Sequence, residues 1–314
     1  IICAVLGDPE DALAEVLGAL EAGDAIDGVP GLRLRGPDGA LRSTGAPRRI
    51  DDLDRLPNPA WHLVDLPRYT SPPHRRRLRR ILPILVSRSC PGNRCTFCQE
   101  FSTLKLAPYR VRSPEDVVAE IAAADHPGEE LEVQFLDSTL PTDRPWLEGF
   151  AAALRARSLS ITWSCLARVD QLDRETVFLM RELGCWNISF GIESSSQRTL
   201  DALVKGTTPE RVRRTVAWCN EAGIAATGTF MVGMPHERPR DVLRTARFAV
   251  DIGLDFAVFF ISKWYERPPE MEALGTFLDE WDYSSFDFRG PPFIPAAYRD
   301  LDHLRRTQSL AHLF

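Results

Sequence analysis

The chain has 314 residues, 44% hydrophobic and 26% charged, a composition that supports a sizeable core and excludes disordered and fibrous classes. Lys and Arg number 38 against 44 Asp and Glu, and the net charge of −6 argues against a broad nucleic-acid surface. No apolar run approaches the roughly 20 residues of a membrane span, and the seven cysteines are too few and too unevenly spaced for a disulfide scaffold. They point instead to a site in a reducing compartment, so a cytoplasmic protein is expected.

At about 150 residues per domain, either two domains or one barrel with additions fits the length. The opening Ile1-Ile-Cys3-Ala-Val-Leu6 lacks an initiator Met and the basic start of a signal peptide, and reads as a strand entered midway, as in a fragment. Leu13, Val16, Leu17 and Leu20 fall at helical spacing after Asp8-Pro9-Glu10. From Gly23 to Thr70 the composition shifts to Gly, Pro, Asp and Arg, which predicts a hairpin around Leu32-Arg33-Leu34-Arg35 and then an irregular linker. Pro57, Pro59, Pro67, Pro72 and Pro73 exclude a long helix there.

After Arg80 the pattern becomes regular. Apolar runs at 81–86, 131–136, 161–167, 187–190, 229–232 and 256–261 alternate with helical periods at 114–124, 145–157, 174–183, 209–222 and 239–252. Ser113-Pro114-Glu115-Asp116 is a helix start, and Gly184 and Gly223 stand where C-caps would. Runs nearly continuous in apolar character predict a parallel α/β sheet, open or a partial barrel, with ligands at the C-terminal strand ends. The tail from Arg267 is Pro-rich, and 301–313 reads as a closing helix.

The segment Ser87-Arg88-Ser89-Cys90-Pro91-Gly92-Asn93-Arg94-Cys95-Thr96-Phe97-Cys98 begins where the first of these strands ends. Three thiolates on such a loop can converge on one metal centre. A structural zinc site needs four ligands, whereas a cluster held by three cysteines leaves one iron open. The zinc alternative borrows its fourth ligand from His74, His126 or Cys165. The run from His74 to Arg80 is read as a solvated linker in preference to a phosphate or RNA contact. Cys3, Cys165, Cys185 and Cys219 are expected to be small buried apolar groups, although Cys165 would face the barrel mouth under one parity of its strand. Trp264, Tyr265 and Glu266 are candidates to line a pocket or to cap the core.

The segment resembles the signature of the radical S-adenosylmethionine (SAM) superfamily, C-x3-C-x2-C with an aromatic before the last cysteine, here Phe97 and with one residue more between Cys90 and Cys95. Gly92 and Asn93 both tolerate a positive φ, which suits a wider loop. The resemblance implies a partial (β/α)6 barrel of the TIM type, with a 4Fe-4S cluster on Cys90, Cys95 and Cys98. Its open iron would chelate SAM and deliver the electron that yields a 5′-deoxyadenosyl radical. In the same register, Asp137 and Ser138 follow the second strand, Arg168 and Asp170 the third, and Phe190-Gly191-Ile192-Glu193-Ser194 ends the fourth. The segment from Gly228 through Gly233 and Pro235 to Glu237 is similar to the family's adenine-flanking strand. By that resemblance Phe97, Asp137, Arg168, Glu193, Ser194, Gly233 and Pro235 would contact SAM.

Asp52-Leu-Asp-Arg-Leu-Pro57-Asn-Pro59-Ala60-Trp61-His-Leu-Val-Asp65 is similar to the linker of cobalamin-dependent members, and Ala4-Val-Leu-Gly7-Asp8-Pro-Glu10 to the end of their cobalamin-binding domain, whose body and Asp-x-His-x-x-Gly loop do not occur here. The expected organisation is a cobalamin-domain remnant and hairpin at 1–50, a linker at 51–80, a radical SAM barrel at 81–265 and an extension at 266–314. The branch implies cobalamin-dependent C-methylation of a small natural-product substrate, with a reductase, flavodoxin or ferredoxin as electron donor, no membrane and no nucleic acid. A non-methylating cyclase or rearrangement enzyme, and a catalytically silent scaffold on the same fold, are the alternatives.

Overall fold

The computed structural model describes residues 3–69, 71, 76–92, 95–98, 108–124, 130–263, 269–277 and 293–314. They form two compact units, Ile1–Leu56 and Pro57–Phe314. In the first, β1 (Cys3–Val5), α1 (Pro9–Ala22), β2 (Leu32–Arg35) and β3 (Leu41–Ser43) build an antiparallel sheet in the order β1-β2-β3 with one helix. The hairpin is as expected, but the helix uses a narrower stripe than its periodicity suggested. Ala12 and Val16 pack with Val29, Leu32 and Leu34, while Leu13, Leu17 and Leu20 stay exposed.

The second unit opens with 3-10 turns at Trp61–Leu63 and Leu66–Arg68, then β4 (Arg80–Ile84), β5 (Ser87–Arg88), β6 (Arg110–Val111), α2 (Pro114–Ala124), β7 (Leu131–Phe135) and α3 (Arg144–Ala156). It continues through β8 (Thr162–Ala167), α4 (Arg174–Glu182), β9 (Cys185–Glu193), α5 (Gln197–Ala202), α6 (Pro209–Ala222), β10 (Ala225–Val232), α7 (Pro239–Asp251) and β11 (Phe256–Ile261). A two-stranded ladder of β12 (Gly275–Phe277) and β13 (Phe293–Pro295) precedes α8 (Leu301–Ala311). The main sheet runs β11-β10-β9-β8-β7-β4, and every neighbouring pair is parallel. Strand order follows chain order, so each strand, its helix and the next strand form one βα unit of a curled partial barrel.

The helices begin where local chemistry satisfies their free N–H groups. Asp143 accepts from Trp146 N, Asp173 from Thr176 N and Thr208 from Arg211 N. Gly184 has φ 94°, and a Cβ there would stand 2.0 Å from the Ile161 carbonyl oxygen, so the turn from α4 into β9 requires glycine. Val133, Phe135, Trp163, Cys165, Ile188 and Phe190 belong to the main core with side chains of the covering helices. Phe135 meets Phe150 and Trp163 edge-on, with centroids 6.0 and 5.4 Å apart.

The strands are not continuously apolar. Between the core residues stand Glu132, Gln134, Ser164, Asn187, Ser189 and Thr227, which alternation places on the opposite face. Gln134, Leu136, Ser164, Leu166, Asn187 and Ser189 line a cavity there. Glu132 closes one end of this face by accepting from Arg77 N (2.6 Å), Leu78 N (2.8 Å) and Trp186 Nε1 (3.0 Å). The Arg77 guanidinium lies over the Trp186 ring at 5.3 Å, so this part of the basic run packs on the barrel. His74 and Arg75 of that run lie outside the described residues, as do Trp264, Tyr265 and Glu266.

Other boundaries shift modestly. β9 and β10 are longer than their expected runs, because Cys185, Gly191 and Glu193 extend the ladder of β9 and Ala225, Ala226, Thr227 and Gly228 that of β10. α5, a helix of six residues capped by Ser196, was not expected from the sequence. Cys3 is half-buried, while Cys165, Cys185 and Cys219 are buried as expected. The parity of β8 turns Cys165 toward the helices, away from the barrel mouth, because Trp163, Cys165 and Ala167 share the core-facing side. Among the described residues no helix is long and apolar enough to cross a membrane.

Candidate active site

The cysteine loop leaves the sheet after β4 and is closed at its base by the β5–β6 ladder, Ser87 opposite Val111 and Arg88 opposite Arg110. Asp137, just past β7, fixes this base. Its Oδ1 accepts from Val86 N at 3.0 Å, from Ser87 N, and from Ser87 Oγ at 2.6 Å, while the buried Oδ2 has no hydrogen-bond partner. Burial pushes the Asp137 carboxyl up to about 6 against the pull of those donors. Tyr109 closes the same corner, its hydroxyl donating to the Thr139 carbonyl at 3.3 Å.

Beyond Ser89, whose φ is 71°, the loop is docked onto the turn after α5. Thr96 N donates to the Leu203 carbonyl at 3.1 Å, and Cys95 Sγ lies 3.9 Å from the Val204 carbonyl oxygen. Val204 adopts φ 51°, an unfavourable conformation for a β-branched residue. The reversal directs the carbonyls of Leu203, Val204 and Lys205 toward the cysteine loop and Arg168. Ser89, Glu193 and Val204 are three of the four non-glycine residues with positive φ among the described residues, so strain concentrates at this end of the sheet.

Arg168 and Lys205 supply the positive charge. The Arg168 guanidinium forms a fork with Asp170 (3.0 and 2.8 Å), donates to the Lys205 carbonyl at 2.8 Å, and comes within 3.9 Å of Cys95 Sγ. Lys205 Nζ donates to Glu193 Oε1 at 2.7 Å and stands 5.6 Å over the Phe97 ring. Burial opposes the Lys205 charge, but Glu193 outweighs it and holds the ammonium above its ordinary value. Ser194, fully buried, accepts from Ser196 N at 3.2 Å.

The last expected segment forms a separate corner. Gly233, with φ 81°, donates to Glu237 Oε2 at 2.9 Å and accepts from Ser262 Oγ at 2.7 Å. Met234 N is 3.4 Å from the same carboxylate oxygen, and Pro235 is half-buried in the turn. Glu237 Oε1 and the Tyr298 hydroxyl are both buried without a hydrogen-bond partner.

Burial pushes the Glu237 carboxyl from its ordinary 4.5 up to about 8, with the Asp241 charge adding to the effect. The folded chain therefore binds more protons than the unfolded chain between those values, and this contribution to stability is full at acid pH and lost as pH rises toward 8. Glu237→Gln keeps an acceptor for Gly233 N and removes the ionisation. It is expected to be about 1–3 kcal/mol more stable than wild type at pH 8.5 and close to it at pH 5. Urea midpoints at both pH values check this, and parallel profiles would contradict it.

The structure thus brings Phe97, Arg168, Glu193 and the cysteine loop into one connected set. Asp137 stands at the loop's base, and Gly233 and Pro235 lie at the neighbouring strand end. Lys205, Tyr109 and the turn at 203–205 were not signalled by any motif, and Glu237 was legible only as the end of its segment. The donor set suits a cluster. Burial raises the Cys90 thiol; the Gly92 backbone hydrogen bond and Arg168 charge oppose this, while the charges of Cys95 and Cys98 add to it, so the three sulfurs act on one another. A cation beside the sulfur, as Arg168 is beside Cys95, favours the thiolate form that ligates iron. Among the described residues no group of three or more His, Cys, Asp or Glu that could hold a metal ion is gathered, the three loop cysteines included. Of the zinc alternative's fourth ligands, Cys165 is buried with Cys185 and Cys219 in the main core, and His74 and His126 lie outside the described residues.

The chain matches the Radical SAM superfamily over residues 84–249, more than half of its length, and belongs to that superfamily. It is 29% identical over 265 residues to an uncharacterized methyltransferase of Pyrococcus horikoshii, covering 83% of this chain and 55% of that protein. It is 26% identical over 310 residues to the anaerobic magnesium-protoporphyrin IX monomethyl ester cyclase of Rubrivivax gelatinosus, covering 97% and 55% respectively. The chain therefore spans about half the length of these curated relatives. Among solved structures it shares its fold with the radical S-adenosylmethionine methyltransferase TsrM of Kitasatospora setae, determined with cobalamin and a 4Fe-4S cluster bound. There the TM-score is 0.65 at 20% identity, over 88% of this chain and 52% of that one.

Proposed function

We propose that the chain is the SAM-cleaving core of a cobalamin-dependent C-methyltransferase acting on a small molecule, with Cys90, Cys95 and Cys98 holding a 4Fe-4S cluster. The observation that carries the reading is the linked set formed by the cysteine loop, Arg168, Lys205 and Glu193 at the C-terminal strand ends. A bound cluster would supply the electron that splits SAM, and a bound cobalamin would carry the methyl group. The chain's own residues bind and orient. Glu193, Ser194 and the free Oδ2 of Asp137 present acceptors for the ribose and amino groups of SAM, Phe97 flanks the last cysteine, and Gly233 and Pro235 shape the adenine edge. Lys205 holds the Glu193 carboxylate, and the buried turns around these residues exclude water. The electron donor is a flavodoxin, ferredoxin or reductase of the same reducing, cytoplasmic compartment.

Within this reading Ile1–Leu56 is the end of a cobalamin-binding domain and Pro57–Arg80 the linker. Residues 1–56 contain no histidine, and the small sheet with one helix is too small to enclose a corrin by itself. A second reading, radical cyclisation without methyl transfer, is favoured by the similarity to the cyclase, which extends over 97% of this chain. The two separate by product. Anaerobic incubation of the reconstituted protein with SAM, reductant and a separately supplied, cobalamin-loaded corrin-binding domain is expected to release S-adenosylhomocysteine as well as 5′-deoxyadenosine. Deoxyadenosine alone would overturn methylation and leave the cyclase reading.

A further inference from the structure

We propose that Arg168 serves the cluster loop: crossing Gly92 and hydrogen-bonding Cys95 Sγ, it seats the widened C-x4-C-x2-C spacer and raises the reduction potential of the cluster held there. The inference rests on the cluster assignment above and reassigns a residue that the family resemblance aimed at SAM.

The geometry around Gly92 is specific. A Cβ at that position would stand 2.5 Å from one terminal nitrogen of Arg168, 2.6 Å from its central carbon and 2.9 Å from Nε. The guanidinium therefore occupies the place of a side chain at residue 92. The fork is fixed from behind. Asp170 takes two of its N–H groups and the Lys205 carbonyl a third, which leaves Nη1 directed at Cys95 Sγ, 3.9 Å away. The Arg168 side chain is 11% exposed, so its charge is weakly screened.

Two physical consequences follow. First, the extra residue between Cys90 and Cys95 lengthens a loop that has to return its first thiolate to the cluster. A planar cation packed against Gly92 and hydrogen-bonded to the second cysteine ties two points of that loop together. Second, reduction adds one negative charge to the cluster. A cation and an N–H donor beside a ligand sulfur stabilise the reduced form, and so move the potential upward. Asp170 opposes this by partly neutralising the fork.

These charges give variants of opposite sign. In the anaerobically reconstituted chain, titrated with redox mediators and followed by the electron paramagnetic resonance of the reduced cluster, Arg168→Gln is expected to shift the midpoint to more negative values. The expected shift is at least tenfold in the reduced-to-oxidised ratio at fixed potential, about 59 mV for one electron. Gly92→Ala, which displaces the fork without removing its charge from the chain, shifts it in the same direction. Asp170→Asn shifts it upward. If Arg168→Gln loses iron while its circular dichroism stays that of wild type, the seating half is supported and Arg168→Lys reads the potential. Wild-type midpoints in Arg168→Gln and Gly92→Ala, at full iron and sulfide content, would overturn the inference and leave the proposed function standing. A wild type that takes up no 4Fe-4S cluster would sink both.

Discussion

Replacing Lys205 by methionine is expected to destabilise the chain by about 3–5 kcal/mol, because it strands a buried carboxylate. Glu193 is 7% exposed and its partner's side chain 12%, with nitrogen and oxygen 2.7 Å apart. Removing one member of such a pair leaves the other without compensation, whereas removing both exchanges a costly pair for neutral contacts. The double variant Lys205→Met with Glu193→Gln should therefore recover most of the loss, and guanidinium denaturation of the two single variants and the double gives the coupling directly. A single-variant loss below about 1 kcal/mol would mean that water reaches the pair as it does at a surface salt bridge. Glu193 also pays for its φ of 68°, so Lys205 secures a residue held in an unfavourable backbone conformation.

The second large effect is expected at Asp137. Asp137→Ala leaves Val86 N, Ser87 N and Ser87 Oγ without their common acceptor at buried positions. Each unmet buried donor costs about 1–3 kcal/mol, so the variant should lose roughly 3–5 kcal/mol and retain less iron, since these groups form the base of the cysteine loop. Asp137→Asn keeps an oxygen for the three donors and should stay within about 2 kcal/mol of wild type. It changes the group that stands at the unpartnered Oδ2. If that oxygen receives the amino group of SAM, the asparagine variant should bind SAM at least about tenfold more weakly at normal iron content. Unchanged SAM affinity in Asp137→Asn would reduce Asp137 to a structural clasp.

The sequence was most legible where local chemistry dictates structure. Ser113-Pro114 and Gly223 mark helix ends because caps, fixed φ and left-handed turns act within a few residues. The cysteine spacing and the acids at successive strand ends were legible because they follow the βα repeat. Parity was not. Trp163, Ser164, Cys165, Leu166 and Ala167 form a run in which small and apolar residues alternate with little contrast, and the helices decide that Cys165 turns into the core. Partnerships across the chain were not legible either. Nothing in Val204-Lys205-Gly206 announces that a strained turn brings Lys205 to Glu193 and its own carbonyl to Arg168, since those contacts depend on how two loops meet. Asp137 was found as a residue, but its hold on Val86 and Ser87 depends on the parallel pairing of β4 with β7.

Cys90, Cys95 and Cys98 are proposed to carry a SAM-cleaving 4Fe-4S cluster despite the widened spacer. This assignment is tested most directly by anaerobic reconstitution of the wild type and of Cys90→Ala, followed by quantification of 5′-deoxyadenosine released from SAM under reductant. The wild type is expected to form a 4Fe-4S cluster and release deoxyadenosine, and Cys90→Ala to do neither. A wild type that binds zinc instead, or that holds its cluster and leaves SAM intact, would contradict the assignment.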